Sequence, residues 1–220
     1  MKNYESVLAF GDSHVAGCEL SDKYSLKDYI SKRITIEEAD APGKELAFPK
    51  IIADTLNIPC YNYAMSGGSN SRSLRLLTRV VQEQPNSLVL FGYTSTDRSE
   101  MFYPEDSLGK DADSFLQLGL QWEGVFDNTI NDFYIKHLYP YNNLKELMVC
   151  VHTICSNFTN RYLHLPLFPE TLPNIDNMFT FEGHNNYLTW CQERKFKNLP
   201  FYHYGQDAHD ALADLILKEI

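Results

Sequence analysis

The chain has 220 residues, enough for one domain with a substantial core, and its formal charge of −10 excludes a wide basic surface for nucleic acid. Hydrophobic residues at 44% and charged residues at 22% give an ordinary globular balance. Five cysteines, at 18, 60, 150, 155 and 191, are odd in number, widely spread and without a C-x-x-C pair, which argues against a disulfide framework and a zinc site. Residues 1–6 lead into a short strand with no long apolar segment, and no stretch approaches the ~18 apolar residues that span a bilayer. The expectation is a cytoplasmic protein without signal peptide or membrane span.

In chain order, residues 6–10 read as a buried strand that empties into Gly11-Asp12-Ser13-His14. Residues 18–44 are polar and read as a surface excursion. Phe48, Ile51, Ile52 and Leu56 share one side of a helix that has Pro49 in its first turn. Residues 58–63 read as a short strand and Ser66-Gly67-Gly68-Ser69-Asn70 as a loop. Ser69 or Asn70 caps a helix running to about Gln84, with Leu74, Leu77 and Val81 inside. Residues 87–92 form the clearest buried strand. The Phe- and Asp-rich stretch 99–135 carries no clear assignment. Asn142-Asn143-Leu144 opens a helix that buries Leu144, Leu147, Met148, Val151 and Cys155. A fourth strand covers 162–168, residues 169–186 read as loop, and a helix over 206–219 closes the chain through Ala208, Leu212, Leu215 and Ile216.

Short apolar strands alternating with helices predict a parallel sheet covered on both faces. Ligands bind such sheets at the carboxyl ends of the strands. Ser13, the Gly67 loop and the segment Tyr93–Arg98 each follow a strand, so all three are expected at one edge.

A serine hydroxyl at a tight turn suits a nucleophile, although Asp12 and Ser13 would equally serve as a helix cap. Acyl transfer needs a base and donors aimed at an oxyanion. Gly67 offers a backbone N–H at the start of a helix, and Thr94 or Ser95 offers a hydroxyl. Arg98 would pair with Asp97 or anchor an anionic substrate. His203, ahead of the last helix, and His209, within it, are the candidate bases. Each has a bland reading: a flexible glycine loop, a hydroxyl cap, a core histidine.

Taken together, Gly11-Asp12-Ser13, Asn62-Tyr63-Ala64-Met65-Ser66-Gly67, Leu90-Phe91-Gly92-Tyr93-Thr94-Ser95 and the C-terminal histidine segment resemble, in order and spacing, the blocks of the SGNH (GDSL-type) hydrolase family. The resemblance implies a three-layer α/β/α, flavodoxin-like fold over residues 1–220 as a single domain. It implies Ser13 as nucleophile and an oxyanion hole from the N–H groups of Ser13 and Gly67, with Thr94, or Ser95 on a one-residue shift, standing where the family has asparagine. Asn70 and Arg98 are further substrate-binding candidates. No metal or organic cofactor is implied. His203 is the preferred base. That choice leaves the acid position before it without an aspartate, so the site is a Ser–His dyad or recruits a carboxylate from elsewhere. The alternative is His209 with Asp207. The expected activity is hydrolysis of a small-molecule or carbohydrate ester, an O-acetyl group for example. The rival is a catalytically degenerate binding or structural module on the same fold. A phosphate-binding reading of Gly67-Gly68 lacks the lysine and glycine spacing of a nucleotide loop.

Overall fold

The computed structural model describes residues 4–21, 23, 35–102, 115–118, 143–159, 161–170, 173, 175–200 and 203–220. Asn142, Phe201, Tyr202 and most of 99–135 lie outside the described residues.

Strands β1 (Ser6–Phe10), β2 (Cys60–Asn62), β3 (Ser87–Tyr93) and β6 (Arg161–Pro166) form one parallel sheet in the order β2-β1-β3-β6. β1 pairs with β2 on one side and with β3 on the other, Val7 lying opposite both Cys60 and Leu88. This is the doubly wound, flavodoxin-like strand order, whose switch point falls between β1 and β3.

β1 and β3 are buried along their whole length, as strands covered on both faces must be. Val7, Ala9, Leu88, Leu90, Leu163 and Leu165 pack against α3 (Phe48–Leu56), α6 (Tyr187–Arg194) and α7 (Gln206–Glu219). Alternating with them, Leu8, Phe10, Val89, Phe91, Tyr93 and Tyr162 pack against α4 (Asn70–Val80) and α5 (Leu144–Phe158). The period-two switch of faces thus builds two cores from one sheet. Each large apolar side chain buried in this way contributes about 1.5–3 kcal/mol.

Helix α3 keeps its expected bounds, whereas α4 ends at Val80, short of Gln84. One stretch differs in kind from expectation, and another carried no expectation. Residues 18–44 contain α2 (Ile36–Lys44), opened by a capping box between Thr35 and Glu38. The single turn α1 (Ser13–Ala16) packs on it through Gly17 and Gly43. A Cβ on Gly17 would lie 2.5 Å from the Gly43 carbonyl oxygen, and one on Gly43 would lie 2.2 Å from that of Gly17. That contact gives no apolar stripe for a reader of sequence to see. Residues 187–194, just past the expected loop, form α6, capped by Asn186 through Thr189 N–H. β4 (Ser99–Phe102) and β5 (Phe115–Leu118) form a separate antiparallel pair within the unassigned stretch.

Candidate active site

The first turn after β1 is held open by Gly11. Its φ is +150°, and a Cβ there would come within 2.5 Å of Val15 Cγ2. Asp12 is the N-cap of α1, its Oδ1 accepting His14 N–H at 3.0 Å, and Ser13 is the first helical residue. The cap reading and the nucleophile reading are therefore compatible: Asp12 caps, and Ser13 presents its hydroxyl.

Ser13 Oγ lies 2.8 Å from His203 Nε2, and His203 Nδ1 lies 2.7 Å from Glu19 Oε2. A carboxylate can only accept, so the proton sits on Nδ1. That leaves Nε2 bare to accept the Ser13 O–H. His203 is pinned by its own carbonyl, which accepts Leu199 N–H at 2.8 Å, and by the bridge between Asn198 and Tyr204. Glu19 reaches the ring because the chain turns twice through left-handed backbone, at Gly17 (φ 72°) and at Glu19 itself (φ 67°). A glutamate in that region costs about 1 kcal/mol or more, strain that a fold retains where the side chain's direction matters.

His14 packs edge-on against the His203 ring, centroids 5.1 Å apart, and against Phe168 and Tyr187. Burial, reinforced by the nearby His203 and Arg98, lowers its pKa to about 4 despite the opposing pull of Asp12. At neutral pH it is an uncharged wall.

Beneath the serine lies a second set of groups. Asp12 Oδ2 receives Arg98 Nη1 at 2.7 Å and Thr94 Oγ1 at 2.8 Å. Burial pushes the Asp12 carboxyl upward, but the opposing charges and hydrogen bonds outweigh it and hold the group below its ordinary range. Because His14 is neutral above about pH 4, Arg98 is the lasting charge partner. Asn70 ties this set to the start of α4, its Nδ2 donating to Thr94 O and its Oδ1 accepting Thr94 N–H, both at 2.9 Å.

The loop after β2 lies beside the serine turn. Met65 N–H donates to Gly11 O at 3.3 Å, and Gly68 N–H to Met65 O at 2.8 Å. Asn62 joins the two turns, donating to Val15 O and accepting Ala64 N–H. Gly67 has φ 73°, the left-handed region that favours glycine. Ser66 is held by Asp40 of α2, whose Oδ2 accepts Ser66 N–H and whose Oδ1 accepts the Ser66 hydroxyl, both at 2.6 Å.

The structure thus gathers Ser13 and His203 and places the Gly67 loop beside them, while three expectations need correction. Thr94 has one hydroxyl proton and gives it to the acceptor-only carboxylate of Asp12, so that hydroxyl is not aimed at an oxyanion. Asn70 is 3% exposed with both ends of its amide engaged, and Arg98 Nη1 is bonded to Asp12 and Thr94. Asn70 holds the floor of the site, and Arg98 commits Nη1 to it. The alternative base His209 is turned into the core. Its Nδ1 accepts Phe48 N–H at 3.2 Å, supplying α3 with the cap that Ala47 lacks. Burial lowers its pKa to about 3. Asp207 accepts Lys197 N–H and Ala208 N–H at the start of α7.

Sequence reasoning missed Glu19 and Asp40. Neither lies in a motif; the signal for Glu19 was a glycine-led turn close behind the serine. Among the described residues no group of three or more His, Cys, Asp and Glu could hold a metal ion, and no helix is long and apolar enough to cross a membrane.

The sequence matches no protein-family model and no curated protein. Solved structures similar to the chain include phospholipase A1 from Streptomyces albidoflavus NA297, 11% identical, covering 99% of this chain and 100% of that one with a TM-score of 0.49. A psychrotrophic esterase from Pseudoalteromonas sp. is 12% identical and covers 98% of each chain, with a TM-score of 0.47. An acetyl xylan esterase from Geobacillus stearothermophilus is 14% identical, covering 100% of this chain and 96% of that one, with a TM-score of 0.46. These are likenesses of chain path, and the chemistry is to be read from the atoms of the site itself.

Proposed function

We propose that this chain is a serine esterase of the SGNH type, working through an acyl-enzyme on Ser13. The observation that carries the reading is the unbroken line Ser13 Oγ–His203–Glu19, with contacts of 2.8 and 2.7 Å. Ser13 Oγ attacks the ester carbonyl while its proton passes to His203 Nε2. The imidazolium so formed is stabilised by Glu19, which also fixes the ring's tautomer. The backbone N–H groups of Ser13 and Gly67 receive the oxyanion. Collapse of the tetrahedral intermediate expels the alcohol, which takes the proton from His203. Water activated by the same nitrogen then releases the acid and regenerates Ser13.

Small acyl esters are the proposed substrate class, with the O-acetyl group of a carbohydrate as the specific candidate. The Ser13–His203–Glu19 line favours this reading over a degenerate binding module. The test is hydrolysis of a chromogenic short-chain acetate ester and of an acetylated oligosaccharide. The wild-type protein is expected to turn over both, His203→Ala to be inactive on both, and His209→Asn to remain active. Activity lost in His209→Asn but kept in His203→Ala would overturn the assignment of the base.

A further inference from the structure

Asp40 is a buried carboxylate that the proposed chemistry does not use. It is 2% exposed and sits on α2, and its two oxygens take the N–H and the hydroxyl of Ser66 at 2.6 Å each. Burial pushes the Asp40 carboxyl upward against the pull of its two bonds to Ser66, the residue directly before Gly67, and of nearby Lys44. Two bonds to a single residue, one to its backbone and one to its side chain, fix that residue's orientation as well as its position. The peptide between Ser66 and Gly67 is the one whose N–H would face the oxyanion. A clamp on the Ser66 N–H and Oγ therefore fixes the Cα from which the following peptide starts.

Other holds act on this loop as well. Met65 N–H is bonded to Gly11 O, Gly68 N–H to Met65 O, Arg72 Nη1 donates to Tyr63 O at 2.7 Å, and the Ser66 side chain also bonds Cys18. Of the bonds described, those of Asp40 alone hold both the backbone N–H and the hydroxyl of Ser66. α2 also carries Gly43, against which Gly17 packs at the start of the turn that delivers Glu19. One helix is thus in contact with both the oxyanion loop and the segment leading to the triad acid.

We infer that Asp40 is a positioning residue for the oxyanion hole, holding the Ser66–Gly67 peptide in its working orientation through the paired bonds to Ser66. This rests on the esterase reading above. It acts on the transition state, where charge develops on the carbonyl oxygen, and leaves binding of the neutral ester largely untouched.

The test is steady-state kinetics of Asp40→Asn and Ser66→Ala on a chromogenic acetate ester, beside wild type and Ser13→Ala. Asn cannot accept both Ser66 bonds with its two ends, and Ala at 66 removes the hydroxyl bond while sparing the backbone one. The expected result is a fall in kcat of about tenfold to a hundredfold for Asp40→Asn and a smaller fall for Ser66→Ala, with KM within about twofold of wild type in both. A boronic-acid inhibitor, which forms a tetrahedral adduct on the serine, is expected to weaken in parallel with kcat. Wild-type kcat in both variants, or a raised KM with kcat intact, would overturn the inference. Ser66→Ala keeps the test decisive if Asp40→Asn does not fold. An inactive wild type, or an active one that loses nothing in Ser13→Ala, would instead sink the esterase reading, so the two failures are distinct.

Discussion

Asp12 and Glu19 flank Ser13 in sequence, yet their surroundings set them to opposite tasks. Asp12 has a fully buried side chain, holds its charge against Arg98 and Thr94, and caps the turn that carries the serine. Glu19 keeps 16% of its side chain exposed and His203 keeps 15%. On the dry side Asp12 fixes where Ser13 stands; on the wetter side, on the proposed reading, His203 and Glu19 move its proton. A carboxylate locked by an arginine cannot respond to charge forming on an imidazole, whereas one bonded to that imidazole can. The two sides should therefore separate under mutation, one through activity and the other through stability.

The largest separation is expected on the wetter side. On the proposed reading His203→Ala should lower kcat by about ten-thousandfold or more, and Glu19→Gln by about a thousandfold or more, as removal of triad members does in characterised serine hydrolases. Both variants should melt within a few degrees of wild type, checked by circular dichroism. A Glu19→Gln protein with near-wild-type kcat would reduce the site to a dyad and break the comparison.

On the dry side, Arg98→Met leaves the Asp12 carboxylate buried without its cation. The expected cost is about 3–5 kcal/mol in the unfolding free energy, measured by urea denaturation. If Arg98 instead served substrate, its loss would raise KM and leave stability unchanged.

Acid should act on the dry side too. His14, His164 and His209 are held near pKa 4, 4 and 3 by burial, against an ordinary 6.5. All are neutral in the fold and take up protons on unfolding. Between about pH 4 and 6.5 the unfolded chain binds more protons, so the stability these groups contribute is full above that window and lost as pH falls through it. Each group accounts for roughly 2 kcal/mol by pH 5. His209→Asn, which can still accept Phe48 N–H, should flatten the fall by about a third, since one of the three groups no longer titrates. An unaltered slope would mean that His209 is not the buried acceptor described.

The smallest effect sharpens the oxyanion assignment. Thr94→Val removes the bond to Asp12 and should cost about 1–2 kcal/mol of stability while changing kcat by less than about threefold. A hundredfold loss of kcat at unchanged stability would return Thr94 to the oxyanion hole.

Much of this architecture was legible in the residues. The all-apolar strands at 6–10 and 87–92 declare a sheet buried on both faces, and Gly11, Ser13, Gly67 and His203 could be placed from the ends of strands and helices. What was hidden has a common physical cause. α2 is attached through a glycine-to-glycine backbone contact and a buried Asp40, so its stretch reads as polar surface. Glu19 is delivered by a left-handed turn, and nothing in composition separates it from the chain's other acids. Thr94 was misjudged because its hydroxyl proton had a claimant, Asp12, in the very motif that named the nucleophile. Periodicity reports burial, but the direction of one proton depends on neighbours that only folding brings together.

The central claim is that His203 and Glu19 make Ser13 a nucleophile, and fluorophosphonate labelling read by mass spectrometry tests it most directly. The account predicts one adduct per chain, mapped to Ser13, absent in Ser13→Ala and formed far more slowly in His203→Ala and Glu19→Gln. An adduct that persists in Ser13→Ala, or a folded wild-type protein that takes up none, would contradict it.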